Sequence, residues 1–446
     1  MTTIRTRAAA AFLVLLASAT TAGADEATTP APASTRALAP PFRLVLPHAH
    51  LLGDWLGTRT WLEDHGITPT VSFVTDALGN PSGGKQHGFT ATNNLGVDLL
   101  FDLHKIVGLS GSSFEFAFSE RFGSSLTQEY IGNVFSVQQI FPGTYRLVTM
   151  AYRQELFDDA VEIRLGRIAS GDDFLVSPYS CVFVQNGFCG NPVGIFFNSP
   201  GMTAYPAATW GAVVKVKPTR RTYAMGGVYN GDPSIRDNSH HGADFSLNGP
   251  VFVIGEIGYQ RNGLPGDDGL IGNYKAGFWY DDSQYTDFTT VGPGQTSASS
   301  RGNWGIYGQF DQVLVRFGGP GSVRGFGITG SILASPDDSV SQLPIFANAA
   351  LVLRGLLAAR ATDVLGFGVV YGHFSNDLQD SQRREQQLDP TIGIQEHELA
   401  LELTYRLLFL EGALFVQPDA QYVIRPGGTG QIDDAFVAGL QAGINF

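Results

Sequence analysis

From about Pro69 onward, apolar and polar residues alternate with a period of two. The clearest run is at the C-terminus, where Phe436, Ala438, Leu440, Ala442, Ile444 and Phe446 alternate with Val437, Gly439, Gln441, Gly443 and Asn445. Leu399, Leu401, Leu403, Tyr405 and Leu407 likewise stand opposite Glu398, Ala400, Glu402, Thr404 and Arg406, and Leu95, Val97, Leu99 and Phe101 stand opposite Asp98 and Asp102. Such alternation predicts strands with one apolar face. It does not separate a sandwich, whose apolar face is the core, from a membrane barrel, whose apolar face meets lipid. Strand length and loop spacing do. The chain divides into about 16 to 18 candidate strands, many of about ten residues, enough to cross a bilayer when tilted. Short connections at 218–219, 318–321 and 410–412 alternate with long ones at 123–144, 169–206, 231–250, 281–302 and 375–394. That asymmetry predicts an all-β fold, a transmembrane antiparallel β-barrel closed over residues 69–446. The fourth strand, near 145–156, alternates poorly and leaves the count open.

The N-terminal region reads differently. Arg5 and Arg7 precede an apolar run from Ala8 to Ala19, and Ala22-Gly23-Ala24 offers small residues for cleavage. Residues 1–24 therefore read as a secretory signal peptide, too short to be a spanning helix. Residues 25–50, with Pro30, Pro32, Pro40 and Pro41, read as a flexible leader. Over 51–68 the spacing of Trp55, Thr58 and Leu62, with Asp54 able to cap and Gly66 able to stop, predicts a short periplasmic helix.

Composition narrows the function. Loss of residues 1–24 deepens the formal charge from −13 to −15, which disfavours nucleic acid as a partner. Fifty-five glycines, 31 phenylalanines and 15 tyrosines against four methionines fit many strands better than many helices. The mature chain holds no apolar run near the length of a membrane helix, so entry into lipid requires a closed barrel. Cofactor and enzyme signatures are weak. His48/His50 and His240/His241 are isolated pairs, Gly318, Gly319 and Gly321 lack a following helix, and neither a nucleophile elbow nor a His-Glu-x-x-His motif occurs. Cys181 and Cys189, the only cysteines, lie close together on an exported chain and are expected to form a local disulfide.

Several segments together resemble the carbohydrate-selective porins of the OprB type. Gly53-Asp54-Trp55-Leu56-Gly57-Thr58-Arg59 is similar to that family's entry motif, and Phe157-Asp158-Asp159 through Leu165-Gly166-Arg167 to Asp172-Asp173-Phe174 is similar to its approach to the constriction loop. Gly302-Asn303-Trp304-Gly305-Ile306-Tyr307 with Asp311-Gln312, and Gln417-Pro418-Asp419-Ala420-Gln421-Tyr422-Val423 with Pro426-Gly427-Gly428, resemble its later strands, and the terminal Phe446 resembles the aromatic end shown to barrel-assembly machinery. The resemblance implies an outer-membrane barrel in contact with lipid, passing small carbohydrate solutes by passive diffusion. It also implies that the third external loop, 169–206, folds inward. Constriction and sugar-contacting candidates are then Arg167, Asp172, Asp173, Tyr179, Phe183, Gln185, Asn186 and Asn191. Glu115, Arg121, Arg164, Asp311, Glu398, Glu402, Asp419 and Gln421 are expected to face the lumen, where each could equally well solvate and brace a wide pore. A general or differently selective porin, a barrel enzyme and an adhesive barrel remain the alternatives, and monomer and homo-oligomer both stay open.

Overall fold

The computed structural model describes residues 50–189, 191–232, 240–293, 297–319 and 321–446. The expected signal peptide, nearly all of the 25–50 leader, His48 and Pro320 lie outside the described residues. The strands are β1 (Ile67–Gly84), β2 (Gly88–Asp102), β3 (Ser112–Gly123), β4 (Arg146–Leu156), β5 (Val161–Ile168), β6 (Thr209–Thr219), β7 (Thr222–Asn230) and β8 (Val251–Arg261). They continue as β9 (Gly272–Thr286), β10 (Ser299–Arg316), β11 (Gly325–Ala334), β12 (Ile345–Arg354), β13 (Val364–His373), β14 (His397–Phe409), β15 (Leu414–Ile424) and β16 (Asp433–Asn445). Each pairs antiparallel with its neighbour in sequence, and β16 returns to β1, so the sixteen strands close without an edge.

The side chains are inverted relative to a soluble protein. Along β14, Glu398, Glu402 and Arg406 are buried while Leu403 is 51% exposed. Exposed Ile257, Phe278, Ile306, Leu351 and Phe367 continue the outer apolar surface on other strands. Register pairs of aromatics bound this band: Tyr280 with Trp304 and Tyr422 with Phe436 toward one rim, Tyr259 with Tyr274 and Phe101 with Phe114 toward the other. Tyr274 and Tyr280 lie six residues apart on β9, roughly 20 Å along the strand. An apolar belt of this height between aromatic girdles matches a bilayer core.

The poor alternation of the fourth strand has a local cause. Ala117 pairs with Thr149 and Phe118 with Leu147, so Val148 is an extra residue. The bulge turns both Val148 and Thr149 inward, which breaks the period of two within an otherwise regular strand. At the N-terminus the helix is shorter than the 51–68 reading. Trp55, Leu56 and Gly57 have positive φ, so helix α1 spans only Thr58–Asp64, and β1 begins at Ile67. Asp54 still accepts from Thr60 N and Oγ1, each at 2.8 Å, and Gly66 ends the helix at φ +84°.

Long connections on one side are L2 (124–145), L3 (169–208), L4 (231–250) and L7 (374–396), and short turns lie on the other. The connection placed at 281–302 shrinks to 287–298, because β9 and β10 run on past the aromatic girdle. L7 carries the helix α2 (Asn376–Gln386). L2, expected outside, folds into the barrel together with L3, and residues 135–141 are buried throughout.

Candidate functional site

The lumen is shaped by two loops held against a wall that offers carboxylates. Glu398 on β14 accepts Val134 N and Phe135 N from L2, at 2.7–2.9 Å, and Gly427 N at 2.7 Å. Two inward positions further on, Glu402 accepts Val184 N at 2.6 Å and Gln185 N at 3.1 Å from L3. Asp76 on β1 accepts Ile140 N, Glu256 on β8 accepts Leu175 N, Asp281 on β9 accepts Gly201 N, and Asp311 on β10 accepts the Ser177 hydroxyl. Backbone N–H groups inside a protein need acceptors, and a carboxyl oxygen can serve as one. The inward acids of the wall therefore do the job that secondary structure does elsewhere.

Glycines supply the matching shape. The inward positions of β13 are Val364, Gly366, Gly368, Val370 and Gly372. A Cβ on Gly366 would sit 2.9 Å from Phe183, one on Gly368 2.4 Å from Phe188, and one on Gly372 2.3 Å from Phe135. The wall is thus a socket for loop aromatics, with Phe183 and Phe188 stacked at 4.3 Å. Cys181 and Cys189, bridged by a disulfide, bracket this aromatic pair. L2 and L3 also bond each other: Asn186 N donates to Ser136 O at 2.9 Å and Gln185 Nε2 to Phe135 O at 2.9 Å.

Against this geometry the sequence-derived candidates separate. Phe183 is fully buried in its glycine socket, and Tyr179 is buried with its hydroxyl over Gly327. Gln185 and Asn186 join the loops, and Asn191 closes the base of L3 by donating to Gly171 O at 3.0 Å and Phe174 O at 2.7 Å. These five hold the loop and present almost no surface to a solute. Arg167 departs from expectation in a different way. Its register partners are Met150 and Trp210, so the alternation of β5 turns it to the outer side, where it donates to Leu147 O at 3.3 Å beneath Gly242 of L4. Glu115, Arg121, Arg164, Asp311, Glu398, Glu402, Asp419 and Gln421 all occupy inward positions.

Asp172 and Asp173 retain exposed side-chain surface and join a ladder across β3, β4 and β5. Arg164 reaches Glu115 at 2.6 Å, Asp173 at 2.9 Å and Asp172 at 3.7 Å. Arg153 reaches Glu115 at 2.8 Å and Glu162 at 2.9 Å. Side-chain exposure runs from 6% at Arg164 to 31% at Arg153, so this set meets the aqueous channel mainly through Arg153 and the carboxylates. Lys215 of β6 lies beside it, its Nζ 4.6 Å from the centre of the Tyr223 ring. Arg153, Glu162 and Lys215 were missed. Glu162 and Lys215 carried a signal, since each alternates with apolar neighbours, whereas Arg153 lies on the strand whose period the bulge disrupts.

Residues 86–446 match the family model described as carbohydrate-selective porin, OprB family. The chain belongs to the OprB family of carbohydrate-selective outer-membrane porins. It is 28% identical over 425 residues to Porin B of Pseudomonas aeruginosa, covering 88% of this chain and 90% of that one. A high-pH structure of Pseudomonas putida OprB superposes with a TM-score of 0.82 at 26% identity, covering 91% of this chain and all of that one. A low-pH structure of the Pseudomonas putida protein, 21% identical, shares the fold with a TM-score of 0.55 over 89% of this chain and 98% of that one. These OprB relatives are channels, and the loop-lined lumen is the part of this chain through which a solute would pass.

Proposed function

We propose that the chain is a passive channel through which small neutral sugars move down their gradient into the periplasm, selected at the ladder of Glu115, Arg153, Glu162, Arg164, Asp172 and Asp173. The observation that supports this reading is that charges of both signs are interleaved, four carboxylates sharing two arginines. Glu115, Glu162 and Asp173 each lie within 3 Å of Arg153 or Arg164. Charges of opposite sign held this close weaken one another's field in the channel and leave lone pairs and N–H groups to replace a sugar's hydration shell. A dominant single charge would instead favour ions. No energy source is required, and transport would follow the gradient in either direction.

Liposome swelling tests this. Vesicles carrying the protein should swell several-fold faster in a neutral hexose than in an amino acid of similar size. Equal rates would leave a general pore and remove the selectivity. Rates no greater than those of empty vesicles would remove the channel.

A further inference from the structure

The periplasmic rim of the barrel holds two arginines that the channel does not use. Thr222 pairs with Tyr259, and Gln260 N donates to Arg221 O at 2.7 Å. Arg220, in the two-residue turn between β6 and β7, and Arg261, the last residue of β8, each stand one residue beyond this contact on the same rim. Both are exposed, and the alternation that turns Tyr259 outward turns Arg261 outward also, two residues beyond the girdle formed by Tyr259 and Tyr274. Like charges at neighbouring strand ends repel. Neither forms an ion pair among the described residues. Of the acids on the next turn, Asp267 is committed to Arg221 at 2.7 Å and to Leu264 N at 2.9 Å. Gly272, the β9 partner of Arg261, adds no side chain and leaves the approach open.

From this juxtaposition we infer a binding site for the phosphate of an anionic phospholipid in the inner leaflet, clasped between Arg220 and Arg261. The inference rests on the barrel's membrane placement and not on its solute. Short turns mark this rim as periplasmic, and an aromatic girdle fixes the depth of the interface just above it. Guanidinium groups bind phosphate through paired N–H donors, and each arginine near a membrane surface strengthens attraction to anionic lipid. Tyr259 and Tyr274, ring centroids 6.4 Å apart, offer a flat apolar seat for the glycerol end of the same lipid.

Native mass spectrometry of the full chain tests the site, using phosphatidylglycerol and phosphatidylcholine of identical acyl chains. The wild type should retain phosphatidylglycerol in excess by on the order of tenfold. R220A/R261A should bring the two lipids to parity, and R220K/R261K should keep part of the excess, with heat-modifiable mobility and sugar-driven swelling unchanged in both. R261Q alone, which leaves the turn sequence intact, should lose most of the excess and serves if the double variant does not fold. Equal retention of the two lipids by the wild type, or an undiminished excess in R220A/R261A and R261Q, overturns the assignment. Displacement of the lipid by inorganic phosphate of equal affinity would make this a soluble-anion site and overturn it as well.

Discussion

Asp172 shows how one side chain can tie the channel to pH. It lies in L3, outside the strands, and its pKa is raised to about 7. Burial is the largest cause; Arg164 pulls the value down, while Asp173 and Glu115 push it up. A carboxyl raised on folding favours the docked loop below its unfolded pKa, near 3.8, and loses that contribution as pH climbs through about 7. The channel wall therefore gains one negative charge across neutrality. In planar bilayers the cation-to-anion permeability ratio should rise by roughly twofold between about pH 6 and pH 8, and D172N should flatten that rise. A slope that survives D172N would assign the titration to another group.

At the scale of elements, the distinctive device is the carboxylate that replaces a strand partner. E402A would strip the acceptor from Val184 N and Gln185 N, leaving two buried donors unpaired at about 1–3 kcal/mol each. L3 should then release from β14, seen as a lower unfolding midpoint in detergent and a larger, noisier single-channel conductance. E402Q, which keeps an acceptor oxygen, should lie between. Wild-type conductance in E402A would show that the disulfide and the Phe183–Phe188 socket hold the loop alone. This division also explains what was legible in the sequence. The period of two read out the strands, their faces and the acids of β14, because lipid on one side and water on the other impose the pattern at every position. It could not say that Glu398 and Glu402 bond loop backbone instead of facing solvent, since an inward acid looks alike in either role. The alternating glycines of β13, Gly366, Gly368 and Gly372, went unread as a socket, and nothing local named Phe135 of L2 as one of its guests. Arg167 was placed at the constriction by resemblance and nearness to L3, but it sits one residue past Gly166, and a single step along a strand exchanges the two faces.

The whole barrel is held closed at a seam where its ends meet, and the N-terminal segment crosses it. Arg59, only 5% exposed, donates through Nη2 to the Phe446 main-chain oxygen at 2.6 Å and through Nη1 to Pro69 O at 3.1 Å. His50 Nδ1 lies 3.1 Å from the same Phe446 oxygen, and Leu51 N donates to Asn445 O at 2.8 Å. The Trp55 ring covers the guanidinium at 4.4 Å. The entry motif thus works as a clasp: the positive φ values at 55–57 set the chain direction so that a single arginine bridges the start of β1 and the end of β16. Hydrogen bonds to a charged group contribute about 1.5–3 kcal/mol, and the β1–β16 seam is closed by the greatest sequence separation in the fold, so its opening is the natural first step of unfolding. R59A should therefore speed amide exchange at Phe73, Thr75 and Ala77, whose N–H groups face β16, by roughly tenfold or more. The β8–β9 amides, on the far wall, should be unaffected. R59K, with a single ammonium and no fork, should recover little of the protection. Acceleration spread evenly around the barrel would mean that Arg59 stabilises the fold in general and that no clasp operates at the seam.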